Sequence, residues 1–574
     1  MLDKFGIAAA LQEIASLQEL KGGDNRFKAR AYRSGARAIA GYSGDIGEVI
    51  TQNELTGIRG IGNALASQIT QLYTTGKSSV LETLREEFPP GVLELTAVPG
   101  LTLSKIRTLH EALGITSVDE LKAAAEAGLL RNVKGFGPKT EQSLLQSIRD
   151  NSKRASTNRR LHMHLADRIA VPVLEYLRTH RGCEDVSISG SLRRRKETVG
   201  VIRITAAAKK PGALIDHFLR FPLIVRTEEQ GDTTCTVELL EGARVSLTVV
   251  SKDRFPMALW ATTGAVAHVA RVQQFAVQRK IKLDIENFVA SGRALRSEAD
   301  LYKRLGMQFI PPELREDVGE IQAALTGKLP EDLIALEDIQ GMVHCHTTYS
   351  DGVNSVAEMA QAADAMGMKY LTITDHSPTA FYAGGVKPDR LKQQWDEIDE
   401  VQETVKVRLL KGTESDILAD GSLDYPDNIL EKFDVIVASI HSRYKMNGEQ
   451  MTKRILKAMR QPVFKIWGHA LGRLIERRPP FECDVEKILD AIAESRAAVE
   501  INGDPYRLDL EPRWVREARK RKIRFVVSVD AHSTGALNNV RYGVSIARRG
   551  WVRKSEVLNT RGVKQFMTAV RPTD

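Results

Sequence analysis

Six of the 12 histidines in this 574-residue chain fall after residue 340: His344, His346, His376, His441, His469 and His532. Each ends a short apolar run, and carboxylates accompany them: Asp351 in TTYSDG, Glu414 in LLKGTES and Asp530 in VSVDAHS. Imidazoles mixed with a few carboxylates suit Zn²⁺, Mn²⁺ or Fe²⁺ better than Mg²⁺ alone. Ions so held acidify a water and neutralise charge on a phosphate during in-line attack. Singly the signals are weak. A histidine after a strand, such as His441 or His469, is more often a hydrogen-bonded loop residue than a ligand. His-x-His at 344–346 recurs by chance, and Glu414 alone reads as an ordinary strand-end residue. Their placement at equivalent positions is what argues for a metal cluster.

Such placement needs repeated β-α order. The apolar runs are MVHCH, YLTITDH, VRLLKGTES, DVIVASIHS, VFKIWGHA, AAVEING and RFVVSVDAHS, with helical patterns such as VAEMAQAADAMG and VEKILDAIAESR between them. That order predicts a parallel sheet, and seven strand candidates predict a relative of the (β/α) barrel. In a barrel the C-terminal strand ends meet on one face, which brings the histidines and carboxylates together. Arg454, Arg473 and Arg507 lie near these motifs and are candidates to hold a phosphate.

The first 150 residues read differently. Helical spacing runs through IAAALQEIASLQEL and NALASQITQLYTTG, with the basic stretch RFKARAYRSGARAIAGY between them. Three glycine turns follow, at Gly60-Ile61-Gly62, Gly100-Leu101-Thr102 and Gly135-Phe136-Gly137, each leading into a helical pattern. Gly-x-Gly between short helices exposes N–H groups that can hold a phosphate without reading a base. Gly60, Gly62, Gly135, Gly137 and Lys139 are the candidate DNA contacts. Further on, DVSISGSLRRRKETVG reads as strand, turn and basic helix, and Gly190, Ser191 and Arg194, with Arg193 and Arg195, as a phosphate cradle. VIRITAA and CTVELLEGARVSLTVV read as strands, the latter a hairpin around Glu241-Gly242.

Two resemblances follow from these motifs. GSLRRRKETVG resembles the palm motif of X-family DNA polymerases. The preceding hairpins resemble that family's small N-terminal domain and fingers, and GMQFIPPELRED resembles the end of its thumb, so the likeness runs through about residues 1–320. HCHTTYSDG, TDHS, KGTESDILADGSLDYP, SIHS, GHALGRL, EINGDPYRLDL and DAHS closely resemble the PHP (polymerase and histidinol phosphatase) domain over about 338–574. The PHP resemblance implies nine ligands for three divalent ions: His344, His346, Asp351, His376, Glu414, His441, His469, Asp530 and His532. Of these, Glu414, His344, His346 and His469 are the expected catalytic positions, and Glu414 would bridge two ions. In the palm, the family's three metal-binding aspartates fall on Val201, Arg203 and Ser246, its nucleotide-binding aromatic pair on Ala261-Thr262, and the lyase lysine of polymerase beta on Gln68.

The expected architecture is therefore multidomain. A helical helix-hairpin-helix region comes first, then an α+β polymerase-X-like palm and thumb, then an α/β PHP domain built as a distorted seven-stranded βα barrel. The expected boundaries are 1–80 for the small N-terminal domain, 81–155 for the fingers-like hairpins, 156–250 for a degenerate palm, 251–317 for the thumb, 318–337 for a linker and 338–574 for the barrel. The balance of 82 basic against 73 acidic residues, with a net charge of +9, suits a polyanionic partner. Four scattered cysteines make no disulfide framework, so a reducing bacterial cytoplasm is expected, with the protein at the nucleoid when at work. Asp3, Lys4 and Glu13 break any signal-peptide pattern, and the apolar runs are too short for a membrane span. The function these readings imply is a metal-dependent phosphodiesterase, a 3′–5′ exonuclease acting in repair on DNA that is gapped or has accessible 3′ ends. The N-terminal half would bind the DNA but no longer transfer nucleotides. A working polymerase conflicts with Val201, Arg203 and Ser246, a small-molecule phosphatase needs no hairpins, and a non-catalytic DNA-binding protein needs no nine-ligand set. The sequence points to no protein partner.

Overall fold

Apolar residues recurring every three to four positions make Lys4–Lys21 a helix, with Ile7, Leu11, Ile14 and Leu17 buried along one side. The computed structural model describes residues 2, 4–21, 25–40, 46–58, 60–88, 95, 98, 101, 103–151, 160–239, 242–292 and 294–572. Gly100 and Thr102 of the second glycine turn and Glu241 of the palm hairpin lie outside them. The chain divides into two units: Met1–Leu161, Asp167–Ile188 and Gly200–Lys252 form the first, and His162–Ala166, Ser189–Val199 and Asp253–Asp574 the second.

In the first unit one continuous apolar core runs from Ile7 to Leu144. The separate domains expected at 1–80 and 81–155 therefore share a core, because buried residues of both, such as Leu17, Leu65, Leu109 and Leu130, belong to a single cluster. The two described glycine turns have the same construction. Gly60 and Gly135 adopt left-handed backbone, φ 95° and 90°, which a side chain would strain. Two residues later, Gly62 and Gly137 accept the first helical N–H of Asn63–Thr75 and Pro138–Asn151, from Ala66 at 2.9 Å and Glu141 at 3.0 Å. Nothing lies within 4 Å of a Cβ built on Gly62, Gly135 or Gly137, so backbone there is open to a ligand.

The same unit carries a five-stranded sheet in the spatial order Cys183–Ser189, Ile202–Ala208, Ala243–Val250, Thr234–Leu239, Ile224–Gln230. Ile202–Ala208 runs parallel to Ala243–Val250, and the last three strands form an antiparallel meander. Along Ala243–Val250 buried and half-buried residues alternate, the pattern of a strand with one face on a core. The register sets Arg203 directly beside Ser246.

In the second unit, a core around Trp260, Leu301, Tyr302 and Leu314 continues through Ile321, Ala324 and Leu329. Residues 318–337 are thus not a linker. The helix Glu320–Leu325 packs into the thumb, and its buried Glu320 meets the buried His268 at 2.6 Å. Arg548 pairs with Glu313 at 2.7 Å, and the Ile334 N–H donates to the Val552 carbonyl at 3.1 Å, so thumb and barrel are packed as one body.

The barrel strands are β1 (Gly341–Met342), β2 (Tyr370–Ile373), β3 (Arg408–Asp416), β4 (Val435–Ser439), β5 (Ile466–Trp467), β6 (Ala498–Asn502) and β7 (Phe525–Ser528). All neighbours are parallel and follow chain order, and a parallel bridge between Cys345 and Ala531 links the first strand to the last, so the barrel is nearly closed. Gly341 pairs with Tyr370, and a Cβ there would lie 2.2 Å from the tyrosine ring, so only glycine fits the first strand. Phe566, on the helix Val563–Val570, stacks on Tyr370 at 4.5 Å and fills the end where the strands begin. The opposite end, where the strands finish, is left for polar side chains. Among the described residues, no helix is long and apolar enough to cross a membrane.

Candidate metal centre

Past the end of β1, His344 and His346 alternate with Cys345, whose backbone is clamped between the neighbouring chains. The Cys345 N–H donates to Thr374 Oγ1 at 2.9 Å, and the His346 N–H to the Ala531 carbonyl at 2.8 Å. Both rings are fully buried. Asp351 follows on a loop fixed by the buried Asp375, which accepts from the Thr347 N–H at 2.8 Å, Thr347 Oγ1 at 2.6 Å, Ser350 Oγ at 2.5 Å and Gln394 Nε2 at 2.7 Å. β2, β4 and β5 lead within two or three residues to His376, His441 and His469, β3 carries Glu414, and β7 leads to Asp530 and His532. Asp530 adopts left-handed backbone, φ 53°, an unusual conformation of the kind concentrated at functional sites.

The side chains meet around Glu414. Its carboxylate lies 2.9 Å from His469 Nε2, 3.2 Å from His441 Nε2, 3.0 Å from His376 Nδ1, 3.4 Å from His344 Nε2 and 3.5 Å from His346 Nε2. Asp530 is 3.1 Å from His346, and Asp351 is 3.2 Å from His532. Three groups place donor atoms within 4.8 Å of one another: His346, Asp351, His376 and His532; His344, His346, Glu414 and Asp530; His376, Glu414 and His441. His346, His376 and Glu414 each belong to two groups, as bridging or shared donors would. His469 stands beside the third group, 3.2 Å from His441.

Two further observations fit divalent ions. His344 Nε2, both ring nitrogens of His346, His376 Nδ1, Glu414 Oε2 and His469 Nδ1 are buried without a hydrogen bond. Each such atom costs about 1–3 kcal/mol unless something coordinates it. The protonation states are also polarised. Burial favours neutral Glu414, but His441, His376 and His344 outweigh it and hold the carboxyl well below its ordinary range. Burial and the neighbouring His376 push His346 down to about 3, leaving a neutral imidazole. His441 rises to about 10 beside Glu414 and Asp416, and His532 to about 9 beside Asp351 and Asp530, so these two rings must give up a proton before they can coordinate an ion.

Carboxylates that sequence reasoning did not assign orient these rings. Glu500 accepts from His344 Nδ1 at 2.6 Å and from the His469 backbone N–H and Ser528 Oγ; Asp416 meets His441 Nδ1 at 2.5 Å. A carboxylate on one ring nitrogen aims the other at the centre of the site. The available signal was the adjacency of Asp416 to TES and of Glu500 to the end of an apolar strand.

The arginines divide. Arg507 Nε lies 3.1 Å from an Asp530 carboxylate oxygen as an ion pair, its Nη1 is buried without a hydrogen bond, and Asp530, Asp504 and Glu414 overcome burial to keep it charged. It faces the site and is available to an anion. Arg454 and Arg473 do not fit the phosphate contact expected of them. The Arg454 guanidinium is taken up by the carbonyls of Ile417, Leu418 and Ser442. Arg473 is held by Glu197 at 2.6 Å, Glu511 at 3.0 Å and the Arg507 carbonyl at 2.9 Å.

The expected cradle at Gly190, Ser191 and Arg194 also fails on geometry. Gly190 is buried, Arg194 donates to Glu316 at 2.9 Å and the Thr263 carbonyl at 2.7 Å, and Arg193 is bound to Glu298 at 2.5 Å. Those charges are already paired. By contrast, Lys139 is exposed in the first turn of its helix, beside the open backbone of Gly135 and Gly137. At the palm positions, Arg203 is exposed, and Ser246 Oγ accepts from Thr236 Oγ1 at 3.2 Å. Among the described residues, the donor groups able to hold an ion all lie in the barrel.

Comparison with known proteins finds relatives of several parts of the chain. Family models match at residues 3–78 (helix-hairpin-helix domain), 92–150 (SAM-like helix-hairpin-helix tandem), 258–316 (DNA polymerase beta thumb) and 343–504 (PHP domain). The chain is 34% identical over 581 residues to the DNA polymerase/3′-5′ exonuclease PolX of Bacillus subtilis strain 168, covering 100% of both proteins. A protein of Thermoanaerobacter sp. strain X514 named as a probable phosphatase is 28% identical over 236 residues, 38% of this chain and 89% of that protein. One from Clostridium botulinum strain Hall, also so named, is 30% identical over 206 residues, 33% of this chain and 77% of that protein. With full-length similarity of that order and hairpin, thumb and PHP regions in the same order along the chain, the protein belongs to the X family of DNA polymerases, in the bacterial form that ends in a PHP domain.

Proposed function

We propose that this protein is a metal-dependent phosphodiesterase that removes nucleotides from DNA 3′ ends during repair, and that its polymerase-like half binds DNA without transferring nucleotides. One contrast carries the reading: eight donor side chains fall into three groups in the barrel with His469 beside them, while Arg203 and Ser246 sit side by side where the family's palm holds carboxylates. A fixed positive charge at the second palm position cannot take the place of a metal-binding carboxylate, and it repels a divalent cation only as far as water leaves it unscreened.

Three divalent ions, Mn²⁺ or Zn²⁺ with Fe²⁺ as a further fit, would be held by His344, His346, Asp351, His376, Glu414, His441, His469, Asp530 and His532. They would supply an acidified water and charge neutralisation at phosphorus. The chain's own residues do the rest. Arg507 holds a non-bridging phosphate oxygen, Glu500 and Asp416 keep His344 and His441 aimed, and the buried walls exclude bulk water. Water oxygen joins phosphorus, the bond from phosphorus to O3′ breaks, and the water's proton ends on that oxygen, releasing a 5′-nucleotide.

The Bacillus subtilis relative is named for both polymerase and exonuclease activities; the second fits this chain. The relatives named as phosphatases match over a third or so of the chain, and a small substrate would leave the hairpins without use. All four cysteines are free thiols, in keeping with a reducing cytoplasm. The test is a gel of end-labelled, gapped DNA with Mn²⁺, with and without deoxynucleotides. Shortening from the 3′ end is expected under both conditions. Lengthening would restore the polymerase reading, and an unchanged band would leave a binding protein.

A further inference from the structure

The rim of the metal centre is apolar where a solvent-facing loop is ordinarily polar. Phe381 is 84% exposed, Tyr382 69% and Val353 72%. Phe381 and Tyr382 stand on the turn Phe381–Ala383, beyond β2, and Val353 on the loop that carries Asp351. The Tyr382 ring is edge-on to His376 and His441, with centroids 6.1 and 6.2 Å apart, so its surface continues the wall of the site outward.

The turn is stiff. A Cβ on Gly385 would come within 2.0 Å of the Ser377 carbonyl oxygen, so the chain lies directly against that backbone. The Val386 N–H donates to the His376 carbonyl at 2.7 Å and the Gly385 N–H to the Ala380 carbonyl at 3.1 Å. On the other side, the N–H and hydroxyl of Thr379 donate to Asp424 at 2.7 and 2.9 Å. The two exposed rings are therefore presented by fixed backbone that is tied at its base to His376.

We propose that Phe381 and Tyr382 form a stacking subsite for the base of the 3′-terminal nucleotide. This rests on the reading of the barrel as a 3′-end phosphodiesterase and adds what the site recognises beyond phosphate. A ligand that fits here puts an anion at the metal centre, where Arg507 stands beside Asp530, and a flat apolar face against the aromatics beside His376 and His441. A nucleotide has both. Aromatic rings accept any base, since every base offers a π face. A partner protein would engage about 20–30 residues, far more than this rim displays. Because a terminal base can reach the rings only when unpaired, the subsite favours frayed or single-stranded ends.

The test uses the full-length protein with Mn²⁺ and two single-stranded oligonucleotides of equal length, one ending in an ordinary nucleotide and one in an abasic nucleotide. The unmodified protein is expected to show a kcat/KM about tenfold to a hundredfold higher on the base-bearing end. In Phe381→Ala/Tyr382→Ala the two ends should converge. In Phe381→Tyr/Tyr382→Phe the difference should persist, and in Phe381→Leu/Tyr382→Leu, which keeps apolar bulk without a π face, it should largely vanish. An unmodified protein indifferent to the base, or a double-alanine variant that loses rate equally on both ends, overturns the proposal alone. Failure of the unmodified protein to shorten either strand overturns the reading of the site and the subsite with it.

Discussion

His346 has both ring nitrogens buried, 3.8 Å from Asp351 on one side and 3.1 Å from Asp530 on the other, so it stands between two of the donor groups. His346→Ala is expected to lower bound metal and cut 3′-end hydrolysis by about a hundredfold or more, with DNA binding retained. Metal analysis beside a hydrolysis assay checks this; full metal occupancy with near-normal hydrolysis would remove His346 from the site. Arg507 and Arg473 should separate cleanly. Arg507→Ala should reduce kcat/KM about tenfold to a hundredfold with metal content unchanged, the loss of a charged hydrogen bond to the phosphate. Arg473→Ala leaves the Glu197 carboxylate without its closest partner and should instead lower the thermal unfolding transition. The six histidines were legible in the sequence because each follows a short apolar run, whereas Asp351 lies in a polar loop and Glu500 and Asp416 carried no such signal. The buried roles of Arg454 and Arg473 were not. An arginine beside a ligand motif reads the same whether it meets a phosphate or a carbonyl, and only packing separates the two.

At the scale of elements, the seven barrel strands were legible because each is a short apolar run ended by a polar group. Ile224–Gln230 was not, since this edge strand shows little buried surface and reads IVRTEEQ, without alternation. The helix Glu320–Leu325 was hidden for the opposite reason: six residues are too few for a period, and only its burial of Ile321 and Ala324 ties it to the thumb. The thumb depends on one carboxylate. Glu298 receives Arg315 at 2.5 Å and Arg193 at 2.5 Å, with Arg315 wholly buried. Burial alone would raise the Glu298 pKa, but Arg193 and Arg315 win and hold it below its ordinary value of 4.5. The stabilisation is therefore complete above pH 4.5 and is lost as pH falls through the lower pKa of the folded state. Glu298→Gln should flatten that acid limb in a pH series of unfolding midpoints. Near neutral pH it should destabilise by about 3–5 kcal/mol, the cost of leaving buried arginines unmatched. An unchanged midpoint at both ends of the series would show the pair to be idle.

For the whole molecule, DNA affinity is expected to come from backbone contacts at the open glycine turns, so log affinity should fall linearly with log salt and depend little on sequence. Deleting residues 1–150 should weaken binding to gapped DNA and leave hydrolysis of a small phosphodiester nearly intact, by titration and by initial rates. A truncated protein that binds gapped DNA as tightly as the full chain would move the contact surface elsewhere. The cut belongs at 150 rather than at 338, because thumb and barrel are packed as one body. The interleaving of the two units also sets an order of synthesis. The chain passes between them five times, and Arg193 and Arg194 meet their carboxylates 105 and 122 residues later. At about 5–20 residues per second, those arginines wait between about five and twenty-five seconds on the ribosome. The hairpins are complete long before β7 emerges, so every growing chain acquires the surfaces that hold a nucleic acid before it acquires the barrel that would cut one.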